Sequence, residues 1–243
     1  MPTIVECVPN FSEGRRPEVI EQIAAAMRAV PGLALLDVQM DRDHNRSVIT
    51  TAGSPEAVAE AAFRATEAAA GLINLDEHQG EHPRMGATDV IPFVPVREVS
   101  MAECVELARQ VGQRIGTELE IPVYLYEEAA ARPERRDLAA VRRGQYEGIK
   151  AEIATVEART PDFGPRRVGP AGAVAVGARP YLIAFNVYLG TGNVEIAKQI
   201  AKAVRHSSGG LRGVKALGLE VEGSVQVSMN LTDFTHTPIH RVV

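Results

Sequence analysis

Apolar positions along the first half of the chain alternate between two periods. In "RRPEVIEQIAAAMRAV" (15–30), Val19, Ile20, Ile23, Met27 and Val30 recur at the three-and-four spacing of an amphipathic helix. "PTIVECVPN" (2–10), "GLALLDVQM" (32–40) and "NRSVITTAG" (45–53) instead read as strands, the last two separated by a short polar turn. A second helix is predicted over "SPEAVAEAAFRATEAAAGLI" (54–73). Ser54 is its N-cap, Pro55 its first helical residue and Glu56 its first-turn acid. After a polar loop come a strand (88–96), a helix capped by Ser100 (100–116) and a strand (121–129). The order βαββαβ, with an extra αβ appended, predicts a ferredoxin-like layer with helices on one face of a largely antiparallel sheet.

The stretch from about 127 to 171 is rich in Arg, Glu, Gly and Pro. It predicts short helices in "LAAVRR" (138–143) and "YEGIKAEIATVEAR" (146–159), then the loop "TPDFGPRRVGPAG" (160–172). Strands follow at 173–177 and 181–190, a helix at 194–205, and strands at 214–222 and 224–234. "EQIAAAMR" (21–28) resembles "KQIAKAVR" (198–205), and both lie between a first strand and a hairpin, the mark of a weak internal repeat. The expected architecture is α+β, with two ferredoxin-like subdomains at 1–178 and 179–243. The second, ending at "THTPIHRVV", is expected to lack a closing helix and strand.

Composition narrows the chemistry. The net charge of −5 over 243 residues argues against a nucleic-acid binder. Cys7 and Cys104 fall in apolar runs and read as buried free thiols. With neither a charged-then-apolar leader nor an apolar run of about 20 residues, a cytoplasmic protein without a membrane partner is expected.

Four motifs invite chemistry. His78, Glu81 and His82 spell H-x-x-E-H, a zinc-peptidase pattern that needs both histidines on one helix. Gly80 and Pro83 oppose that helix, so no metal site is expected. His82 reads instead as either a solvated loop residue or a general acid/base on a rigid loop. "DRDHNR" (41–46) begins like a calcium loop, but Arg46 and Ala52 stand where Gly and Glu are required. That leaves a polar hairpin tip or a substrate contact. "LGTGNVE" (189–195) places Glu195 where a dinucleotide fingerprint needs glycine. "DFGPRRVGPAG" (162–172) is either a linker or a rigid loop with two cations suited to carboxylates.

Several stretches together resemble the formiminotransferase family. They are "VECVPNFSEGR" (5–15), "DHNRSVIT" (43–50), "GEHPRMGATDVIPFVP" (80–95), "DFGPRRVGPAGAVAVGARPYLIAFNV" (162–187) and "VSMNLTDF" (227–234), in family order across most of the chain. The resemblance implies a folate-dependent transferase that moves the formimino group of N-formimidoyl-L-glutamate to N5 of tetrahydrofolate, a step of histidine degradation. It implies His82 as the catalytic histidine. The implied folate-binding loop is Phe163, Gly164, Pro165, Arg166, Arg167, Val168, Gly169, Pro170, Ala171 and Gly172. Tetrahydrofolate enters as co-substrate, and a homodimer is expected.

Both substrates carry carboxylates, so Arg46, Arg84, Arg166 and Arg167 are candidate forks. Asn10 and Asn186, each read as ending a strand, one in each half, are candidate hydrogen-bonding groups for the pterin or the amidine. Two alternatives stay open, formyl transfer from N-formylglutamate and a non-catalytic folate-binding module.

Overall fold

A computed structural model describes residues 2–221 and 223–243. The chain divides into two compact units, Met1–Arg179 and Pro180–Val243. The first contains β1 (Ile4–Cys7), β2 (Asn10–Phe11), α1 (Pro17–Arg28), β3 (Ala34–Asp41), β4 (Arg46–Gly53), α2 (Pro55–Leu72) and β5 (Thr88–Arg97). It continues with α3 (Met101–Glu118), β6 (Val123–Glu127), the short helices α4 (Leu138–Val141) and α5 (Gln145–Glu152), and β7 (Val174–Ala178). The second contains β8 (Ile183–Leu189), α6 (Val194–Val204), β9 (Val214–Val221) and β10 (Ser224–Leu231). Glu222, the last residue of the strand expected at 214–222, lies outside the described residues.

The helix starts follow local chemistry. The Ser54 side chain accepts from the Ala57 N–H, and Ser100 forms a reciprocal capping box with Glu103. At α1 the sequence offers Pro17 but no N-cap side chain. The buried Glu13 carboxylate instead orders the turn that leads into the helix, accepting from the Arg15 and Arg16 N–H groups at 2.8 and 2.9 Å.

The expected α+β architecture is observed, but helices cover both faces of the first sheet where one face was expected. Pro9 interrupts the first strand, because it has no N–H to donate to a neighbour. The resulting β1/β2 segment is antiparallel to both β4 and β5. β3 extends the sheet beyond β4, while β7 inserts between β5 and β6 and is parallel to both. α2 and α3 pack Val58, Cys104, Ala108 and Ile115 against Val5, Cys7, Ile91, Phe93 and Val176. α1 and α2 share a second cluster over Phe11 and Ile49.

α4 and α5 lie on the other face, where Val141 and Ile149 meet Val90, Tyr124, Tyr126 and Ala175. The reason is local: β5, β6 and β7 are apolar at successive positions, so this half of the sheet must be covered on both sides. Both cysteines are buried and free, and burial pushes their thiols up, Cys104 to about 11. Among the described residues no helix is long and apolar enough to cross a membrane.

In the second unit β10 lies between β8 and β9, all antiparallel, and α6 covers one face through Ala197 and Ala201. In the first unit β4 likewise lies between the β1/β2 segment and β3. Both units thus repeat one βαββ arrangement, with the matching helices α1 and α6 in the same place in chain order.

The loop at 160–172 is tied down at both ends. Phe163 accepts from the Val123 N–H and packs against the α3 side of the core. At the other end the Ala87 N–H donates to Ala171 O, and the Ala173 N–H donates to Met85 O. Gly172 has φ +75°, and a Cβ there would lie 2.4 Å from Met85 O. Gly172→Ala should therefore lower unfolding free energy by at least about 2 kcal/mol, combining left-handed strain with steric overlap. Urea denaturation measures it, and an unchanged midpoint contradicts this account of the loop.

Candidate active site

Residues 73–87 form no helix, as Gly80 and Pro83 predict. The segment is nevertheless rigidly placed, because it packs on the β3–β4 hairpin tip. Asn45, at φ +48°, accepts from the Gly14 N–H at 2.9 Å and donates to Gln79 O at 2.8 Å. Its own carbonyl accepts from His78 Nε2 at 3.0 Å. A Cβ on Gly80 would stand 2.5 Å from His44 O, so only glycine lets the two loops approach this closely.

His82 is half-buried beside the sheet. Its Nδ1 lies 2.6 Å from Pro83 O and 3.2 Å from Arg46 Nη1. A carbonyl only accepts and a guanidinium only donates, so one nitrogen cannot satisfy both. The shorter contact assigns the proton to Nδ1 and leaves Nε2 with a free lone pair. Arg46, the first residue of β4, donates Nη1 to Asp89 Oδ2 at 2.7 Å and Nη2 to Asn10 Oδ1 at 2.8 Å. Asn10 is itself oriented by donating to Val8 O. Asp89, at the start of β5, has no solvent exposure. Its Oδ1 accepts from the Met85 N–H, and its Oδ2 also accepts from Arg142 Nη2 at 2.5 Å.

These charges set the titration. Burial alone would raise the Asp89 carboxyl, but Arg142, Arg46 and the Met85 N–H outweigh it and hold the group at about 2. Burial, then the Arg46 and Arg142 cations, push the His82 imidazole down to about 3, against the opposing pull of Asp89 and the Pro83 carbonyl. His82 is therefore a neutral imidazole at neutral pH. Two guanidiniums face one carboxylate, so the cluster carries one uncompensated positive charge.

The structure brings together Asn10, Arg46 and His82 from the expected set and places the others elsewhere. Arg84 is buried and forks onto Glu147 at 2.6 and 2.9 Å, with further bonds to His78 and Gln145. His78, between Arg84 and Asn45 O, is a fixed structural group whose titration burial depresses. Arg166 pairs with Glu157 and the Ile153 carbonyl, and Arg167 with Glu120. Ala171 to Ala173 lie against Met85 to Ala87, close in sequence to His82, and Pro170 O accepts from the Leu75 N–H. Asn186 is exposed on β8 of the second unit.

Sequence reasoning missed three residues. Asp89 left a usable signal, since an acid opening the apolar run "DVIPFV" must find a partner when buried. Arg142, just beyond α4, left none. His44 sits in the hairpin tip with Nδ1 2.7 Å from Asp41 Oδ2, its ring centroid 6.1 Å from that of His82.

Comparison with known proteins gives a consistent family. The model described as "Formiminotransferase domain, N-terminal subdomain" matches residues 4–179, and that described as "Formiminotransferase domain" matches 184–243. The chain is 53% identical over 243 residues to a glutamate formimidoyltransferase of Thermoplasma acidophilum, covering 98% of this chain and 80% of the relative. It is 48% identical over 244 residues to one of Streptococcus pyogenes serotype M1, covering 99% and 81%. It is 47% identical over 251 residues to the formimidoyltransferase-cyclodeaminase of Mus musculus, covering all of this chain and 46% of that longer protein.

Two outcomes follow from the charge cluster. Asp89→Asn leaves two buried guanidiniums without their carboxylate and should cost roughly 3–5 kcal/mol of stability, read by chemical denaturation. The second concerns pH. His82 titrates near 6.5 when unfolded and about 3 when folded, so between those values only the unfolded chain binds its proton. Its contribution is full above pH 6.5 and is lost as pH falls through this window. His82→Gln removes that loss, so the variant should lose less unfolding free energy between about pH 7.5 and 5 than the parent. Parallel pH profiles would contradict the depressed imidazole.

Proposed function

The chain belongs to the formiminotransferase family, and from that premise we propose that it transfers the formimidoyl group of N-formimidoyl-L-glutamate to N5 of tetrahydrofolate, with His82 carrying the proton. The observation that supports this most directly is the 2.6 Å contact between His82 Nδ1 and Pro83 O, from which the Nδ1–H tautomer is assigned. Nδ1–H is tied to Pro83 O, so Nε2 is a free base in a polar, positively charged corner of the first unit.

The chemistry requires one base that becomes an acid. N5 attacks the amidine carbon, forming the N5–C bond, and its proton passes to His82 Nε2. The tetrahedral intermediate then breaks its bond to the glutamate nitrogen, which takes that proton as it leaves as an amine. All bonds and protons are accounted for by two substrates and one imidazole. Proton transfer of this kind contributes typically about 10²–10⁴-fold, and fixing two reactants in register contributes more.

Of the expected donor-binding residues, Asn10 and Arg46 stand beside His82 and suit the role, whereas Arg84 is committed to Glu147. The loop from Phe163 to Gly172 is the proposed folate-binding element. Support comes from its attachment to Met85–Ala87, which holds that loop next to the segment carrying His82.

The test is a turnover assay with tetrahydrofolate and each donor. N-formimidoyl-L-glutamate should be consumed, and His82→Ala should lower turnover by about 10²–10⁴-fold while the thermal melt stays cooperative. Exclusive use of N-formylglutamate would replace the donor. Folate binding without turnover of either donor would mark a non-catalytic module.

A further inference from the structure

We propose that Arg142, with Arg46, forms the carboxylate-binding subsite for the glutamyl donor, and that the donor's carboxylate completes a charge cluster that is one anion short in the free protein. This rests on the formimidoyl-transfer reading above.

The argument starts from what the two guanidiniums do. Asp89 Oδ2 accepts one bond from each, so one buried carboxylate is shared between two cations. Arg46 uses both terminal nitrogens, on Asp89 and Asn10. Arg142 does not. Its one side-chain bond among the described residues is from Nη2 to Asp89, and its Nε is buried without a partner. Its side chain is 14% exposed, with Nε shielded from solvent and Nη1 left open to a ligand. A half-buried guanidinium with unmet donors, sharing one carboxylate with a second cation, favours one further anion. A carboxylate is planar and doubly charge-assisted in that position, and it is a group that the amino-acid donor carries.

The same arrangement couples donor binding to the base. Arg46 and Arg142 are the two cations that disfavour protonation of His82, and burial is the larger cause. A carboxylate set between them offsets their repulsion just when the imidazole has to accept the N5 proton. The neutral base is thereby kept ready in the free protein, and its proton affinity rises once the donor is in place. His44, paired with Asp41, is the other titratable ring facing His82, and Asp89 is the remaining charge.

Steady-state kinetics of the full chain tests the assignment, with each substrate varied in turn. Arg142→Met should raise the KM for N-formimidoyl-L-glutamate by about 10- to 100-fold, the loss of a charge-assisted pair, with the KM for tetrahydrofolate within about threefold of the parent. Arg142→Lys keeps a cation for Asp89 but loses the fork. It should fold as the parent does and give an intermediate donor KM, which keeps the test decisive if the methionine variant is unstable. Guanidinium ion added to a folded Arg142→Ala variant should recover part of the donor affinity. A donor KM unchanged in the lysine variant, or equal rises for both substrates, overturns the subsite. A rise confined to tetrahydrofolate would assign the cations to the folate's own carboxylates and also overturns it. Absence of formimidoyl transfer by the parent protein is a separate result, which removes the functional reading itself.

Discussion

The Asp89 carboxylate, shielded from water at the start of β5, accepts from Arg46, from Arg142 and from the Met85 N–H at once. Those three donors come from parts of the chain with no local reason to meet: the first residue of β4, the segment after α4, and the loop that carries His82. A buried carboxylate is costly unless it is paired and hydrogen-bonded, so folding must deliver all three partners to one point. Arg46 then fixes Asn10, and the two guanidiniums set the field at His82. The corner of the molecule that holds His82 is organised outward from one buried acid.

Around that acid, irregular backbone is held rigid by close approach instead of by secondary structure. Gly80 sits on the His44 carbonyl, Gly14 sits on the Asp41 carbonyl, and Gly172 sits on Met85, each at a distance that excludes a side chain. Asn45 ties three segments together through its side chain and its carbonyl. Arg84 closes the other side of the loop by forking onto Glu147 of α5. These contacts fix the neighbours of His82 on a loop in the way a helix would otherwise do.

The repeat seen in the sequence has a physical basis in the two βαββ arrangements. The stripe of apolar residues on α1 and on α6 reflects one requirement met twice, to cover one face of a three-stranded antiparallel segment. The first unit goes on to build β5, β6 and β7 against both helix layers, and it is on this extension that Asp89 and the anchors of the 160–172 loop are placed.

Periodicity and end signals by themselves determined most of the elements. The helices at α1, α2, α3 and α6, the β3–β4 hairpin and the absence of a helix around His82 were all legible. Each depends on local chemistry: an apolar stripe, a capping serine, a proline or glycine that forbids a conformation. The family motifs also singled out His82 and Arg46, since both lie within contiguous stretches. Arg142 was not legible, because "VRRG" looks like any solvated helix end and its meaning comes from a carboxylate 53 positions away in the chain. Arg84 shows the converse, a residue inside the most specific motif that tertiary packing commits to Glu147. Which charge meets which is a long-range matter, fixed by the sheet order and by the cost of burying an unpaired ion, and only the tertiary structure decided it.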